Sequence, residues 1–440
     1  MQTGKTVCMP AGIKRFFMKT TIITISLALL SVTASAQRTL SADECVSLAL
    51  ANNVRMKNAA NNIKAAEETR KEAFTKYFPT LSASGGGFIA DKALMKMNVA
   101  EGMSMSLMKN GVVGGVTAQM PLFTGGRILN SNKLAAVNRE VSLLQHKQSE
   151  NEVKLTAATY FWQIVMVKEK LKTILTGERQ LADFAKDAEA AVSAGISDRN
   201  DMLQVRLRRN ENLTDSIKAA NMLNLSRKML AQYIGLNGDS IDVDMTLDGR
   251  LPAPPEQLYR SPADALQQTA EYGLLTSNVK ASRLQYKLTA GKNMPTVAVG
   301  GGYMYDNLTD KNKPYWIGFA TVSIPLSGWW GGSHDMKKQQ LAVKNAENSL
   351  EDNSQLLMLG MENTWNDLTD AYKRVAISIE SIAQAAENLR LHTDYYNAGT
   401  ATMSDLLDAQ TLYQKCRYDY VEAYAQYEIK RTEYLLATGQ

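Results

Sequence analysis

A long internal repeat is the feature of this sequence that most limits its fold. The stretch ending at Pro79 aligns with the stretch ending at Pro295, at a constant offset of 216 residues. Further along, an offset of 204 pairs Pro121 with Pro325, Ala194-Gly195 with Ala398-Gly399, Asp201 with Asp405, and Gly235 with Gly439. A fixed offset indicates duplicated structural units. We therefore predict two repeated halves, residues 37–235 and 263–440, joined by a linker at 236–262.

Each half has the same order of predicted elements: a helix, two strands, a long helix and a second helix. Runs of about ten residues, long enough for a tilted strand to cross a bilayer, predict strands at about 79–90, 111–122, 295–305 and 315–326. Proline-free stretches predict helices at 127–194, about 198–234, 333–398 and about 402–437. At a rise of about 1.5 Å per residue, the two longest helices would each extend about 100 Å.

Both halves pass from strand to helix through a proline and a pair of glycines. The first passage is AQMPLFTGGRILN and the second is VSIPLSGWWGGSHDM. Proline cannot donate a hydrogen bond to a strand ladder, and glycine permits sharp turns. We predict that Pro121 and Pro325 end the strand pairing, and that Gly125-Gly126 and Gly331-Gly332 redirect the chain into the long helices.

The first 36 residues have the composition of a targeting leader. Lys19 precedes an apolar run from about Ile22 to Leu30 and the small residues Ala34-Ser35-Ala36, as in a secretory signal peptide cleaved after Ala36, and residues 1–17 are interpreted as an over-extended start. This segment holds four basic residues and no acidic one, so the net charge of +5 falls to +1 beyond it, and nucleic-acid binding is not indicated. No run of about 18 apolar residues follows, so any membrane insertion would use strands.

Four strands are too few to close a barrel. A bilayer requires every backbone N–H and C=O group to be paired, which a closed barrel achieves. We therefore expect several chains to share one barrel, and three copies would supply twelve strands and surround one axis with helices. Aromatic residues cluster at both strand ends like membrane girdles, with Tyr77, Phe78, Phe123, Trp329 and Trp330 at one end and Tyr303, Tyr305, Tyr315 and Trp316 at the other.

The last predicted helix has a heptad pattern typical of a coiled-coil seam. Large residues recur every seven positions, and small residues lie three positions later: Leu406, Tyr413, Tyr420, Tyr427 and Tyr434, then Ala409, Cys416, Ala423 and Ala437. Lys430 interrupts this seam. We expect Cys416 to be a buried packing residue, although a disulfide with Cys45 stays open as an alternative.

The chain resembles the TolC-like outer membrane efflux family over residues 38–440. The resemblance rests on PLFTGGR and IPLSGWWGG after the strands, and on YNAGTATMSDLLDAQTLYQ at 396–414. It implies a mixed α and β membrane protein: a trimeric, 12-stranded outer-membrane β-barrel, continuous with a long periplasmic α-helical coiled-coil barrel. It also implies the outer membrane of a Gram-negative bacterium, a periplasmic adaptor (membrane fusion) protein, and an inner-membrane pump of RND or ABC type.

The resemblance further implies site residues by motif position. In the family, two helical hairpin tips close the periplasmic mouth and contact the adaptor, and here they fall at Ala194, Gly195, Ile196 and Ser197 and at Ala398, Gly399, Thr400 and Ala401. Asp405 and Asp408 match paired gate aspartates, while Asp201 and Tyr396 match partners that hold the tips shut. Some members place an arginine where this chain has Ala401, so that salt bridge is absent here.

Helical spacing bears on the same aspartates. Asp405 and Asp408 are three positions apart, so they share one helix face. Threefold symmetry would bring six carboxylates toward one axis, where they would attract cations. The alternative interpretation is a favourable charge pair at a helix N-terminus.

Other functional classes receive little support from the sequence. It has three histidines, and neither a nucleophile motif nor a metal-ligand cluster, so we predict no enzyme activity, cofactor or metal site. A soluble periplasmic coiled-coil adaptor would explain the helices but not four strands with aromatic ends.

Five methionines cluster between the first two predicted strands: Met95, Met97, Met103, Met105 and Met108. Their thioethers would suit Cu(I), although methionine commonly serves as adaptable apolar filler. The sequence does not determine the cargo.

Overall fold

The computed structural model describes residues 38–100, 103–236, 241–308, 312–326 and 328–440. The leader predicted at residues 1–36 lies outside the described residues, as do the side chains of residues 95–107 and of Trp329. The chain forms two compact units. We call them the helical unit, from the described parts of Met1–Ala49, Ala157–Gly249 and Ala385–Val421, and the sheet unit, from those of Leu50–Thr156, Arg250–Gln384 and Glu422–Gln440.

Helices account for most of the described chain. The helices are α1 (Ala42–Asn52), α2 (Val54–Thr75), α3 (Arg127–Ser193), α4 (Arg199–Tyr233), α5 (Pro262–Leu266), α6 (Ala270–Lys292), α7 (Gly328–Asn397) and α8 (Met403–Ala437). The strands are β1 (Arg38–Leu40), β2 (Thr80–Ile89), β3 (Met95–Ala100), β4 (Met103–Leu107), β5 (Asn110–Thr124), β6 (Ile241–Val243), β7 (Thr296–Asp306) and β8 (Lys313–Ser323). Among the described residues, no helix combines the length and the apolar character needed to cross a bilayer.

A four-stranded antiparallel sheet dominates the sheet unit. Its strand order is β2-β5-β7-β8, and its strands begin and end within a few residues of the four predicted ones. Gly85 lies opposite Gly114, and Tyr303 lies opposite Trp316. β2 and β8 are the edges of this sheet, and nearly all of their residues are exposed. Each edge strand therefore presents a row of backbone groups that the sheet itself does not pair.

Two predicted boundaries between strand and helix are wrong. β5 continues past Pro121, which is paired with Ala298, and reaches Thr124 after an irregularity in the register. The irregularity leaves Leu122, next to Pro121, out of the register, and proline is tolerated in a strand beside such a bulge. α7 begins at Gly328, so Gly331 and Gly332 lie in its first turns and not in a preceding loop. Glycine costs a helix only about 1 kcal/mol, which continued helix growth offsets.

Two short strand pairs were not predicted from the sequence. β3 and β4 form an antiparallel hairpin between the strands predicted at about 79–90 and 111–122. β1 pairs in parallel with β6, which lies within the predicted linker. Strands of three to six residues are too short for a reliable alternation of apolar and polar positions.

The last three tyrosines of the α8 seam, Tyr420, Tyr427 and Tyr434, are buried, as predicted, whereas Tyr413 is half-buried. Within the sheet unit, the Tyr427 hydroxyl donates to the Ala253 carbonyl (2.5 Å), and the Tyr434 hydroxyl accepts from the Arg260 N–H (2.8 Å). The interruption at Lys430 is also accounted for, because its ammonium lies 2.9 Å from a carboxylate oxygen of Asp367. These two tyrosines therefore anchor the second half of the linker to the last helix.

The two described cysteines are both free. Cys45 is buried, but Cys416 is only half-buried, so the prediction of a buried Cys416 holds only in part. A residue three positions beyond the tyrosine stripe lies about 60° around the helix, at the margin of the packed face. Burial raises the pKa of the Cys45 thiol to about 12, so this thiol is protonated and unreactive at neutral pH.

Candidate functional site

The first predicted tip is the turn between α3 and α4 in the helical unit. Gly195 has a φ of +72°, a conformation that other residues rarely adopt. Its N–H donates to the Val192 carbonyl (3.1 Å), and the N–H of Ile196 donates to the Ala191 carbonyl (3.0 Å). These two bonds form a Schellman motif, which satisfies the last carbonyls of the helix. The tip is therefore a defined turn.

The second predicted tip, between α7 and α8, repeats this geometry. Gly399 has a φ of +69°. Its N–H donates to the Tyr396 carbonyl (3.0 Å), and the N–H of Thr400 donates to the Tyr395 carbonyl (2.9 Å). Gly195 and Gly399, which occupy equivalent positions in the two halves of the sequence, therefore form the same type of turn.

Asp405 caps the helix that follows the second tip. Its carboxylate accepts from the Thr402 N–H (3.0 Å) and from the Thr402 hydroxyl (2.6 Å), while its own N–H donates to that hydroxyl (3.2 Å). This reciprocal pattern is a capping box. The hydrogen bonds from Thr402 lower the pKa of Asp405, and the charge of His392 contributes in the same direction. Asp405 is therefore ionised at neutral pH and engaged within its own chain.

Asp201 occupies the corresponding position after the first tip and contacts a different residue. The Ser197 hydroxyl donates to its carboxylate (2.5 Å). Tyr396, which arrives from α7, is close enough to this pair for the charge of Asp201 to raise the pKa of the Tyr396 hydroxyl, although burial is the larger cause. A hydrogen-bonding interaction with Ser197 acts in the opposite direction. The structure thus brings Tyr396, Ser197 and Asp201 together; we call these three residues the tyrosine cluster.

Asp408 stands apart from these interactions. It is exposed, and it has no ion pair or side-chain hydrogen bond within the described part of the chain. It lies one helical turn beyond Asp405, on the same face of α8. The structure therefore brings together two of the four predicted gate residues, Asp201 and Tyr396, while Asp405 binds Thr402 and Asp408 faces solvent.

A small apolar core supports both tips. Its buried residues come from the ends of four helices: Leu181, Ala188, Val205, Leu389, Met403, Leu406, Leu407 and Ala409. Tyr396 and Tyr413 pack against this core with part of their surface. Since closely packed interiors resist small displacements, the core fixes the position of the tyrosine cluster relative to both turns.

A buried polar layer near this core was not predicted. Gln410 is fully buried, and neither its amide oxygen nor its amide nitrogen has a hydrogen-bond partner within the described residues. Close by, Gln414 approaches Asn212 (3.5 Å), and Asn212 donates to the Ile174 carbonyl (3.1 Å). A β-carbon on Gly177 would collide with the Gln414 amide. The isolated glycine in a 67-residue helix was the sequence signal for this layer.

The first strand-to-helix passage lies in the sheet unit. Gly125 and Gly126 have φ values of +64° and +75°, which agrees with a turn at these glycines. A β-carbon on Gly125 would meet the Gly291 carbonyl oxygen. The Arg127 side chain donates to the Thr124 carbonyl (3.1 Å) across the turn. In the other half, Pro325 follows the end of β8 at Ser323.

A metal centre has no support from ordinary ligands. In the ranges that the structure describes, no three His, Cys, Asp or Glu residues are grouped as a metal ion would require.

The geometry of two helix pairs and one open sheet agrees with comparisons to solved structures. The outer-membrane channel OprN has a TM-score of 0.77 at 16% identity, with 90% of this chain and 89% of OprN covered. CusC has a TM-score of 0.77 at 14% identity, with 93% and 95% covered. The outer membrane protein VceC of Vibrio cholerae has a TM-score of 0.74 at 13% identity, with 90% and 96% covered. These likenesses show a shared fold.

Sequence comparison identifies the family. No curated protein sequence matches the chain. The family model for the outer membrane efflux protein, however, matches residues 45–236 and 263–440, most of the chain. Proteins of this family are outer membrane channels of tripartite efflux systems that extend into the periplasm and act with adaptor proteins and inner-membrane pumps. A soluble adaptor is not supported. By sequence and by fold, the chain belongs to the outer membrane efflux protein family.

Proposed function

We propose that three copies of this chain form one continuous duct, with a 12-stranded barrel in the outer membrane and a gated helical barrel in the periplasm. The observation that carries this proposal is the pair of open sheet edges, β2 and β8. A bilayer does not tolerate unpaired backbone groups. Pairing β8 of one copy with β2 of the next removes every edge once the ring closes.

Aromatic side chains support the membrane placement of the sheet. At the end near the long helices, Phe78 and Trp330 are exposed by 54% and 71%. At the opposite end, Tyr303 and Trp316 contact each other in a tilted arrangement with ring centroids 5.1 Å apart, and Trp316 is 80% exposed. Exposed aromatic rings at two levels suit the two interfaces of a bilayer. Outer membrane lipid is therefore the proposed neighbour of this surface.

The tips are the proposed contact for the periplasmic adaptor protein. Ile196 exposes 82% of its surface at the first tip, and Ala194 and Ala398 are exposed as well. Apolar side chains on a defined turn suit a protein partner that covers them. On this proposal, residues 194–197 and 398–401 form the surface that contacts the adaptor, and the glycine turns determine the shape of that surface.

The tyrosine cluster and the aspartate pair are the proposed periplasmic gate. Tyr396, at the end of α7, is near Ser197 and Asp201 of the other tip, and its proposed role is to hold the two tips together. Asp405 and Asp408 would form a ring of six carboxylates around the threefold axis. Such a ring attracts cations and repels anions.

The internal repeat explains how one chain supplies four strands, two passages into the periplasm and two tips. Each half, 37–235 and 263–440, contributes two strands, one passage into the periplasm and one tip, with 236–262 between them. Gly125-Gly126 turn the first passage, whereas Pro325 and the helical Gly331-Gly332 belong to the second.

Light scattering on the detergent-purified protein tests the assembly. We expect the mass of three chains after subtraction of detergent, because only ring closure pairs β2 and β8. A monodisperse monomer with intact strand content by circular dichroism would contradict the proposal. Efflux by a strain that carries Ile196→Asp tests the adaptor contact separately, since this change should lower efflux while single-channel conductance is kept.

A further inference from the structure

One end of the four-stranded sheet adjoins the ends of four helices. α2 and α6 lead into this end of the sheet, and α3 and α7 lead away from it. The register pairs Thr124 of β5 with Thr296 of β7, and Thr296 with Ser323 of β8, while β2 begins nearby at Thr80. The four helix ends therefore lie next to the part of the molecule that is proposed to enter the bilayer.

The charge balance at these helix ends differs from that of the whole sequence. The sequence has 49 lysines and arginines against 44 aspartates and glutamates, which is close to balance. The segments beside the sheet instead have nine basic residues and two acidic ones, Glu72 and Asp335. These segments are residues 70–79, 125–134, 286–295 and 324–338. The positive charge is therefore concentrated at this end of the sheet.

Most of these basic residues have no counter-charge. Six are exposed lysines without an ion pair within the described part of the chain, and we call them the lysine collar: Lys76, Lys133, Lys287, Lys292, Lys337 and Lys338. Further along the same helices, basic residues do have partners, since Lys280 contacts Glu140 (3.0 Å) and Arg283 contacts Glu347 (2.7 Å). Like charges that are close together repel one another. A negative group from outside the chain would relieve this repulsion.

Exposed aromatic rings accompany the lysine collar. The Phe74 ring contacts the rings of Tyr77 and Phe78 edge-on, with centroids 5.7 and 5.6 Å apart, on either side of Lys76 in the sequence. Phe74 is 56% exposed, and Trp330 at the start of α7 is 71% exposed. Aromatic rings beside lysines are typical of a bilayer interface. A solvated helix face, or the wall of an aqueous duct, would account for the lysines but not for the rings.

We propose that the lysine collar binds the phosphate groups of anionic phospholipids in the periplasmic leaflet of the outer membrane. This inference rests on the proposed placement of the sheet in that membrane. At about 1.5 Å per helical residue, the six lysines lie within about 15 Å of the helix ends. The head-group layer beyond the hydrocarbon is about 5–8 Å thick, and lysine side chains extend toward it while their stems cover apolar surface. Clusters of four to eight basic residues beside a membrane segment attract anionic lipids.

Electron spin resonance of the purified full chain in liposomes tests the proposal. The probes are spin-labelled phosphatidylglycerol, which is anionic, and spin-labelled phosphatidylcholine, which has no net charge. Lipids in contact with the protein lose mobility, so the immobilised fraction of each probe measures the preference. We expect phosphatidylglycerol to be preferred about fivefold, the effect of one lysine near an anionic surface. The preference should disappear at about 1 M salt, where the screening length is about 3 Å.

Variants of the lysine collar locate the preference on the chain. Lys76→Gln with Lys292→Gln should remove more than half of it, and replacing all six lysines by glutamine should abolish it. Lys57→Gln with Lys344→Gln is the matched control and should keep the full preference. These two lysines are also exposed on α2 and α7, but they lie 18 and 16 residues from the helix ends at Thr75 and Gly328.

The possible results separate this inference from the proposed function. Equal immobilisation of the two probes by the parent protein would overturn the inference and leave the membrane placement of the sheet intact. A preference that persists in the six-lysine variant would also overturn it. If that variant changes the ion selectivity of single channels but not the lipid preference, the lysines line the duct and the inference is wrong. No immobilised lipid of either kind would contradict the membrane placement itself.

Discussion

Asp405 and Asp408 are one helical turn apart, yet their surroundings differ. Asp405 is held by the Thr402 N–H and hydroxyl, whereas Asp408 is exposed without a partner among the described residues. Removing Asp405 therefore removes a helix cap as well as a charge. Of the two aspartates, only Asp408 behaves as a simple solvated surface charge.

The proposed gate predicts different effects for single and double variants. Asp408→Ala should weaken block of single channels by multivalent cations while the helix start stays intact, because it removes three of six carboxylates. Asp405→Ala with Asp408→Ala should weaken the block further and raise conductance. Recordings in planar bilayers measure both effects. If cation block is the same in the double variant as in the parent, the constriction lies elsewhere.

Asp242 provides a prediction about pH. It pairs with Arg227 (2.8 Å) and Lys168 (3.1 Å), and 14% of its side chain is exposed. Burial alone would raise the pKa of this carboxyl, but hydrogen bonds from Arg227, the Val243 backbone and Lys168 outweigh it and lower the pKa. A carboxyl whose pKa is lower in the folded state stabilises the fold above its unfolded pKa of about 3.9. That stability is lost as the pH falls through the folded value.

Asp242→Asn should therefore lower stability at pH 7 by about 1.5–3 kcal/mol, the range for hydrogen bonds to charged groups. The thermal midpoint of the detergent-solubilised protein would fall at pH 7. Near pH 3 the difference from the parent should shrink, because the unfolded parent then binds a proton at this carboxyl more readily than the folded parent does. Asp244→Asn is the control, since Asp244 is exposed and lies outside these ion pairs. An equal loss at both pH values would contradict the assignment.

At the scale of elements, two helices differ in what an internal glycine does. Gly177 in α3 leaves space for the amide of Gln414 from α8. Gly360 in α7 faces open space, with nothing within 4 Å of an added β-carbon. Intrinsic helix propensity favours alanine over glycine by about 1 kcal/mol at both positions. The packing around each glycine should therefore determine whether its replacement by alanine stabilises or destabilises the protein.

Gly177→Ala should destabilise the protein by about 1–3 kcal/mol, as overpacking does, whereas Gly360→Ala should be neutral or stabilising. Thermal midpoints of the two variants in one detergent measure the difference. Adding Gln414→Ala to Gly177→Ala should restore part of the loss, since it removes the colliding amide. A Gly177→Ala protein as stable as Gly360→Ala would show that the polar layer can rearrange without cost.

At the scale of the whole molecule, the proposed topology assigns one end of the sheet to the outside of the cell. Lys109 and Asn312 are exposed at the end remote from α3, and Thr80 is exposed at the opposite end, where it pairs with Gln119. We expect single cysteines at Lys109 and at Asn312 to react with a membrane-impermeant maleimide on intact cells. Thr80→Cys should react only after the outer membrane is permeabilised. Protection of both outer positions on intact cells would reverse the proposed topology.

Much of the element order follows from local sequence. The duplicated prolines and glycines, the proline-free stretches and the heptad tyrosines place the long helices and the four long strands within a few residues of where they lie. The equivalence of the turns at Gly195 and Gly399 can be predicted from the amino-acid sequence alone. Both turns use a backbone conformation that favours glycine, so glycine occurs at the same place in each half. Such features depend on φ/ψ preferences and on periodicity, which are properties of neighbouring residues.

Other features depend on residues far apart in the chain, and only the tertiary structure decides them. Pro121 lies within β5 because Ala298 of another strand pairs with it, and Gly177 is needed because Gln414 arrives from 237 positions later. The tyrosine cluster likewise joins Tyr396 to Asp201 across two helices. The sequence by itself determined the family motifs, the repeat and the order of elements. Strand register, polar partners and burial were decided by three-dimensional packing, because their energies arise from contacts that no local pattern encodes.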